Sequence, residues 1–191
     1  MPSHVSQRAF RKASVASLAS SVVSAICLFV SLKLALDAAG ATAVGVWALI
    51  QGVMLISRIM DGGGTTNVVK RVSLAVGEGR AAEIGPIMVS GLLLTFVPTA
   101  VLGALLWLPT LTVVAGQPGV PLTNAQVGEL VTLSVVNGIV AVVAMTLLSV
   151  LEGAGHQVSR YAVVMAAGIT LLFSSLLLTP PYGVIGFMYA Y

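Results

Sequence analysis

Trp47, Gln51, Met54, Arg58 and Asp61 follow one another at steps of four, three, four and three positions in an otherwise apolar stretch. That spacing puts all five on one face of an α-helix. A guanidinium and a carboxylate three residues apart can pair, for a gain of about 0.3 kcal/mol where exposed. They can also line a water-filled path through which something polar crosses. Arg58 lies about one turn from the end of the apolar run, where insertion costs less than the ~3 kcal/mol of a helix centre and snorkelling to the surface is easy. Surface anchoring and a cavity-facing role are both open for it. Gln51 sits near the middle of the run, and a polar amide there needs a partner.

Two further polar stripes have helical spacing. Ser14, Ser17, Ser21, Ser24 and Ser31 share one face of the first apolar run, and Ser134, Asn137, Ala141 and Ala144 share one face of a later run. Small and hydroxyl residues let membrane helices approach closely, so such stripes serve packing as readily as they serve a solute.

The elements that carry these stripes follow from composition. Hydrophobic residues make up 58% of the chain and charged residues 8%, where a soluble domain carries charge at about a quarter of its positions. Mean hydropathy is +1.05. The expected class is all-α: a polytopic integral membrane helix bundle. Crossing hydrocarbon takes roughly 20 apolar residues. Five segments qualify as full spans, 13–36, 43–61, 84–108, 128–151 and 161–178, and the start of a sixth lies at Gly183. The first run exceeds the roughly 7 to 15 residues of a signal-peptide core, so it is expected to be retained as a span. With the sixth span only begun at Tyr191, a fragment of a longer protein or a truncated reading frame is expected, a missing C-terminal half being the partner in the first case.

Basic residues set the expected orientation. Arg8, Arg11 and Lys12 precede the first span, Lys70, Arg71 and Arg80 follow the second, and Arg160 follows the fourth, while the loops around Ala39, Gly116 and Pro181 hold none. The positive-inside rule then makes the N-terminus cytoplasmic. Lys33, near the outer end of its helix, can snorkel outward. The linker 73–86, with Glu78, Arg80 and Glu83 among small apolar residues, reads either as a short helix on the cytoplasmic surface or as a solvated linker. The stretch 116–126 reads as an irregular outer loop, with Thr123 or Asn124 capping the next helix.

Other chemistries find no residues. The net charge of +3 has no nucleic-acid meaning at this hydropathy. Cys27 is a lone cysteine in an apolar run, and His4 and His156 lack metal-ligand spacing. "DGGGTTN" has no P-loop ending and follows a helix. All carboxylates fall at span ends or in loops, so no mid-membrane acid is available for ion coupling. No cofactor, metal or enzymatic activity is expected; the acidic or histidine cluster of a membrane-embedded transferase is missing.

The order of features resembles a known family. "AAGATAVGVWALIQGVMLISRIMDGGGTTNVVKR" is followed by "GEGRAAEIGPIMVSGLLL", "LEGAGHQVSRYAVVMAAGI" and "YGVIGFMYAY". Together these resemble the N-terminal part of the O-antigen and polysaccharide flippase-like exporters of the multidrug/oligosaccharidyl-lipid/polysaccharide (MOP) superfamily. Gly45 and Trp47 match the family's Gly-x-Trp opening of the second span. Asp61 and Gly63, with Lys70 or Arg71, match its Asp-x-Gly and basic ending, while Tyr182, Gly183 and Gly186 match the opening of the sixth. Gly62 departs from the bulky residue usual there. The resemblance implies one lobe of a two-lobed transporter in the bacterial plasma membrane, flipping a polyprenyl-pyrophosphate-linked oligosaccharide by alternating access. Arg58 would attract the pyrophosphate, since a guanidinium binds phosphate oxygens bidentately. Gln51, Trp47, Asp61, Ser21, Ser24 and Asn137 complete the expected substrate-binding set. The rival readings are a multidrug exporter of the same superfamily and a non-transporting membrane scaffold subunit.

Overall fold

The computed structural model describes residues 4–59, 64–115 and 122–191, and their side chains within 11–53, 64–114 and 122–191. Every described element is helical: α1 His4–Ile59, α2 Gly64–Gly77, a 3-10 turn Ala81–Glu83, α3 Ile84–Ala115, α4 Asn124–Gly153 and α5 Gln157–Ala190. Four helices are long and apolar enough to cross a membrane, over Arg11–Val53, Ala81–Val114, Asn124–Gly153 and Gln157–Ala190. Their outer faces expose large apolar side chains, with Phe29 at 73% and Leu177 at 74%. Such a surface suits lipid, because side chains that water would force inward cost nothing against acyl chains.

The span count differs from the sequence expectation of five plus the start of a sixth. The first two expected spans fall in the single element α1, and the start of the sixth falls inside α5. Glycine is the physical reason in both. Gly40 (φ 80°, ψ 162°) and Gly183 (φ 58°, ψ −136°) leave helical geometry in regions that only glycine enters cheaply, so the chain turns without a loop. At Gly40 it reverses. In the first limb of α1, Ser24 lies against Gly168 and Ala39 against Gly183, so that limb runs parallel to α5. In the second limb, Ala43 shares a cleft with Leu122 and Gln51 bonds to Ser134, so it runs parallel to α4. α4 and α5, joined by a turn over 154–156, are antiparallel, and hence so are the two limbs. Beyond Gly183 the chain folds back until Gly186 meets the Leu178 backbone.

α2 corrects another expectation. A surface helix or linker was expected over 73–86, but the helix is Gly64–Gly77, and it buries Gly64, Val68, Val72 and Ala75 at helical spacing. Glycines on its neighbours admit it: Val68 seats on Gly91 of α3, and Val69 and Val72 seat on Gly153 of α4. Ser73 donates to the Gly153 carbonyl at 3.1 Å. The expected linker charges form a clamp in the turn that follows, where Arg80 bridges Glu78 and Glu83. The Glu78 hydrogen bond, then that to Glu83, holds the Arg80 guanidinium above its ordinary range.

The expected cap of the fourth span is Thr123. Its hydroxyl accepts from the Gln126 N–H, and the Gln126 side chain accepts from the Thr123 N–H, which satisfies two of the donors a helix start leaves open. α3 and α4 join through polar seams. Thr95 and Thr146 share a buried hydrogen bond of 3.2 Å, and Trp107 donates to Thr132. The main apolar core, with Val46, Ile50, Val114, Leu130, Val131 and Met188, gathers limb two of α1 with α3, α4 and the end of α5. The starts of α1 and α5, all of α2 and the end of α4 come together at one end of the bundle.

Candidate functional site

The face with Trp47 and Gln51 points inward, onto α4 and the folded-back end of α5. The Gln51 amide donates to the Ser134 hydroxyl at 3.2 Å and to the Met188 sulfur at 3.6 Å. The Trp47 indole N–H donates to the same sulfur at 3.2 Å, and its ring meets Phe187 edge-on at 5.0 Å and Tyr191 at 5.6 Å. Ser134 is buried and donates a hydrogen bond to the Leu130 carbonyl at 2.8 Å. An amide and an indole therefore converge on one thioether inside an apolar bundle, with the Ser134 hydroxyl beside them. A helix-interior glutamine here satisfies itself on a weak acceptor, which a better acceptor can displace.

Asn137 lies one turn along α4 from Ser134, and its amide nitrogen is buried with no hydrogen-bond partner. An orphaned buried amide costs on the order of 1–3 kcal/mol, so its retention calls for a reason. Gln51 and Ser134 meet between limb two and α4, and Asn137 continues this short polar column one turn along α4. Arg58 would extend it toward the helix end, but its side chain, and the whole of Asp61, lie outside the described residues.

The serine stripe divides. Ser24 faces α5, where it lies against Gly168, and Ser31 is fully buried. Ser14 and Ser21 are exposed, and the buried position beside Ser21 is Ser20. The buried line is Ala13, Ser20, Cys27, Ser31 and Ala35; it keeps Ser31 of the expected stripe Ser14, Ser17, Ser21, Ser24 and Ser31 and lies about one residue, or 100°, from its members Ser14 and Ser21. Ser21 instead opens with Ser14, Ser17, Gln157 and Tyr161 onto a cleft of about 410 Å³. Ser21 and the Gln51 column are thus not brought together. In α4, Ser134 is buried and Ala144 exposed, while Asn137 and Ala141 are half-buried.

Sequence reasoning missed Met188 and Thr146. A methionine in an apolar helix gives no signal, whereas the threonine ladder Thr95, Thr99 and Thr110 is at a spacing that could have been read. The carboxylates also find local partners: Glu129 accepts from the Tyr189 hydroxyl at 2.9 Å, and Glu152 pairs with Arg160 at 3.2 Å. Among the described residues no group of His, Cys, Asp and Glu could hold a metal ion. Among known proteins, no family model, no curated sequence and no solved structure matches the chain.

Proposed function

We propose that this chain forms a helical lobe of a membrane transporter that flips a polyprenyl-pyrophosphate-linked oligosaccharide. One observation carries the reading: the Gln51, Ser134 and Asn137 column lies in the interior of apolar helices, with one amide nitrogen left without a partner. Sugar hydroxyls would exchange for the Met188 sulfur as acceptors of the Gln51 amide and would satisfy Asn137. The order of sequence features that resembles the MOP exporters points the same way. In this reading the two limbs of α1 cross the bilayer separately, giving five crossings with α3, α4 and α5, and the end beyond Gly183 begins a sixth. The basic end is cytoplasmic, in a bacterial plasma membrane, and Arg58 and Asp61 extend the column toward it.

A scaffold reading draws support from the α1–α5 seam, where Ser24 closes on Gly168 as packing residues do. Accessibility separates the two. In the intact protein with Cys27→Ala, a cysteine at Asn137 should react with a small charged thiol reagent, and added lipid-linked glycan should slow that reaction. If Asn137→Cys reacts no faster than Val142→Cys on the buried face of α4, the column is sealed and the transport proposal fails.

A further inference from the structure

At the basic end of the bundle two clefts flank the seam between α1 and α5, and they differ in chemistry. One is the hydroxyl-lined cleft at Ser21. The other, of about 580 Å³, is lined by Arg11, Lys12, Val15, Ala16, Ala19 and Val158. Its mouth carries two exposed cations, and among the described residues no carboxylate lines it. By contrast, Arg80 is bridged by Glu78 and Glu83, and Arg160 is paired with Glu152. Below the cations the wall is apolar, and Ala16 and Ala19 leave it hollow where larger side chains would fill it. The groove faces outward beside Val15, which is 68% exposed, on a helix long and apolar enough to cross a membrane.

We propose that this groove binds an anionic phospholipid. Its phosphate sits between the Arg11 guanidinium and the Lys12 ammonium, and one acyl chain lies in the hollow over Ala16 and Ala19 against Val158. The charge pattern selects the occupant. Two cations with no carboxylate partner among the described residues, directly above an apolar trough, match a headgroup that carries net negative charge above its own chain, whereas a zwitterionic headgroup presents a cation of its own to the same pair. Basic side chains at this depth attract anionic lipid through the surface potential and hold it by direct contact. The proposal requires only that the helices lie in a bilayer, and it stands or falls independently of any transported substrate.

The test is electron spin resonance of spin-labelled phosphatidylglycerol and phosphatidylcholine with the intact protein in phosphatidylcholine vesicles. The motionally restricted fraction should favour phosphatidylglycerol by about tenfold. Arg11→Gln with Lys12→Gln, both exposed, should bring that preference close to one. Ala16→Phe should fill the groove and bring the preference close to one with the charges in place. Lys70→Gln with Arg71→Gln, which removes as much charge from α2, should leave the preference unchanged. Equal restriction of both lipids by the unaltered protein overturns the proposal. So does an equal loss from the α2 pair, or full retention in Ala16→Phe, since either assigns the effect to surface charge without a groove.

Discussion

Replacing Asn137 by leucine separates a functional polar group from a structural one. The Asn137 amide nitrogen is buried and unpartnered, so the folded chain bears a penalty on the order of 1–3 kcal/mol for desolvating it. Leucine has a similar branched shape and no polar atom, and α4 is otherwise apolar at this depth. Asn137→Leu should therefore stabilise the protein by about 1–3 kcal/mol, where most buried substitutions destabilise. Equilibrium unfolding of the intact protein, from mixed micelles into increasing fractions of a denaturing detergent and followed by helical circular dichroism, measures this directly. Translocation of a lipid-linked glycan should fall in the same variant, because a group that weakens the fold is then being kept for the substrate. A destabilised Asn137→Leu would refute the reasoning, since it means that the amide is bonded in the folded protein. A stabilised variant with unchanged translocation would remove Asn137 from the site.

The seating of α2 predicts two contrasting glycine substitutions. An added Cβ at Gly153 lies 2.7 Å from the Val69 carbonyl oxygen and 2.8 Å from the Val72 Cβ, so Gly153→Ala should cost about 1–3 kcal/mol in the same unfolding assay, outweighing the ~0.5–1 kcal/mol that alanine gains in a helix. Gly91→Ala meets only the Val68 side chain closely, so adding Val68→Ala should restore much of the loss, with a coupling of about 1 kcal/mol or more. At Gly40, where a Cβ would meet nothing within 4 Å, Gly40→Ala should still cost about 1–3 kcal/mol through backbone strain alone; a neutral result there would mean that the reversal of α1 has another conformation.

The local features were legible because local residues cause them. The Thr123 and Gln126 cap and the helix starting at Ile84 follow from capping chemistry and apolar run length, whereas a loop was expected around Ala39 where Gly40 turns the chain inside one element. α2 carried a readable signal as well, since Val68, Val72 and Ala75 recur at helical spacing, but Thr66, Asn67, Lys70 and Arg71 masked it in an average hydropathy. What was not legible depends on other parts of the chain. Nothing near Val68 or Val72 announces that Gly91 and Gly153 will receive them. Of the serine stripe, Ser24 and Ser31 turn inward, but at one turn of α1 the buried position is Ser20 and not Ser21, because adjacent serines offer the same chemistry and only contact with α5 decides which turns inward. In the candidate site, Trp47 and Gln51 were found from spacing alone. Their meeting with Ser134 and Met188 was not, because more than 80 residues separate them in sequence.

Translocation itself tests the central claim most directly. The intact protein, reconstituted in vesicles that carry a fluorescent polyprenyl-pyrophosphate-linked oligosaccharide in both leaflets, is exposed to an impermeant quencher or glycosidase. The account predicts that the protected inner-leaflet fraction becomes accessible at a rate well above that of protein-free vesicles, and that Gln51→Leu slows this rate at unchanged protein content. A protected fraction that decays no faster than in empty vesicles would contradict it and leave the inward polar column of limb two as a packing feature.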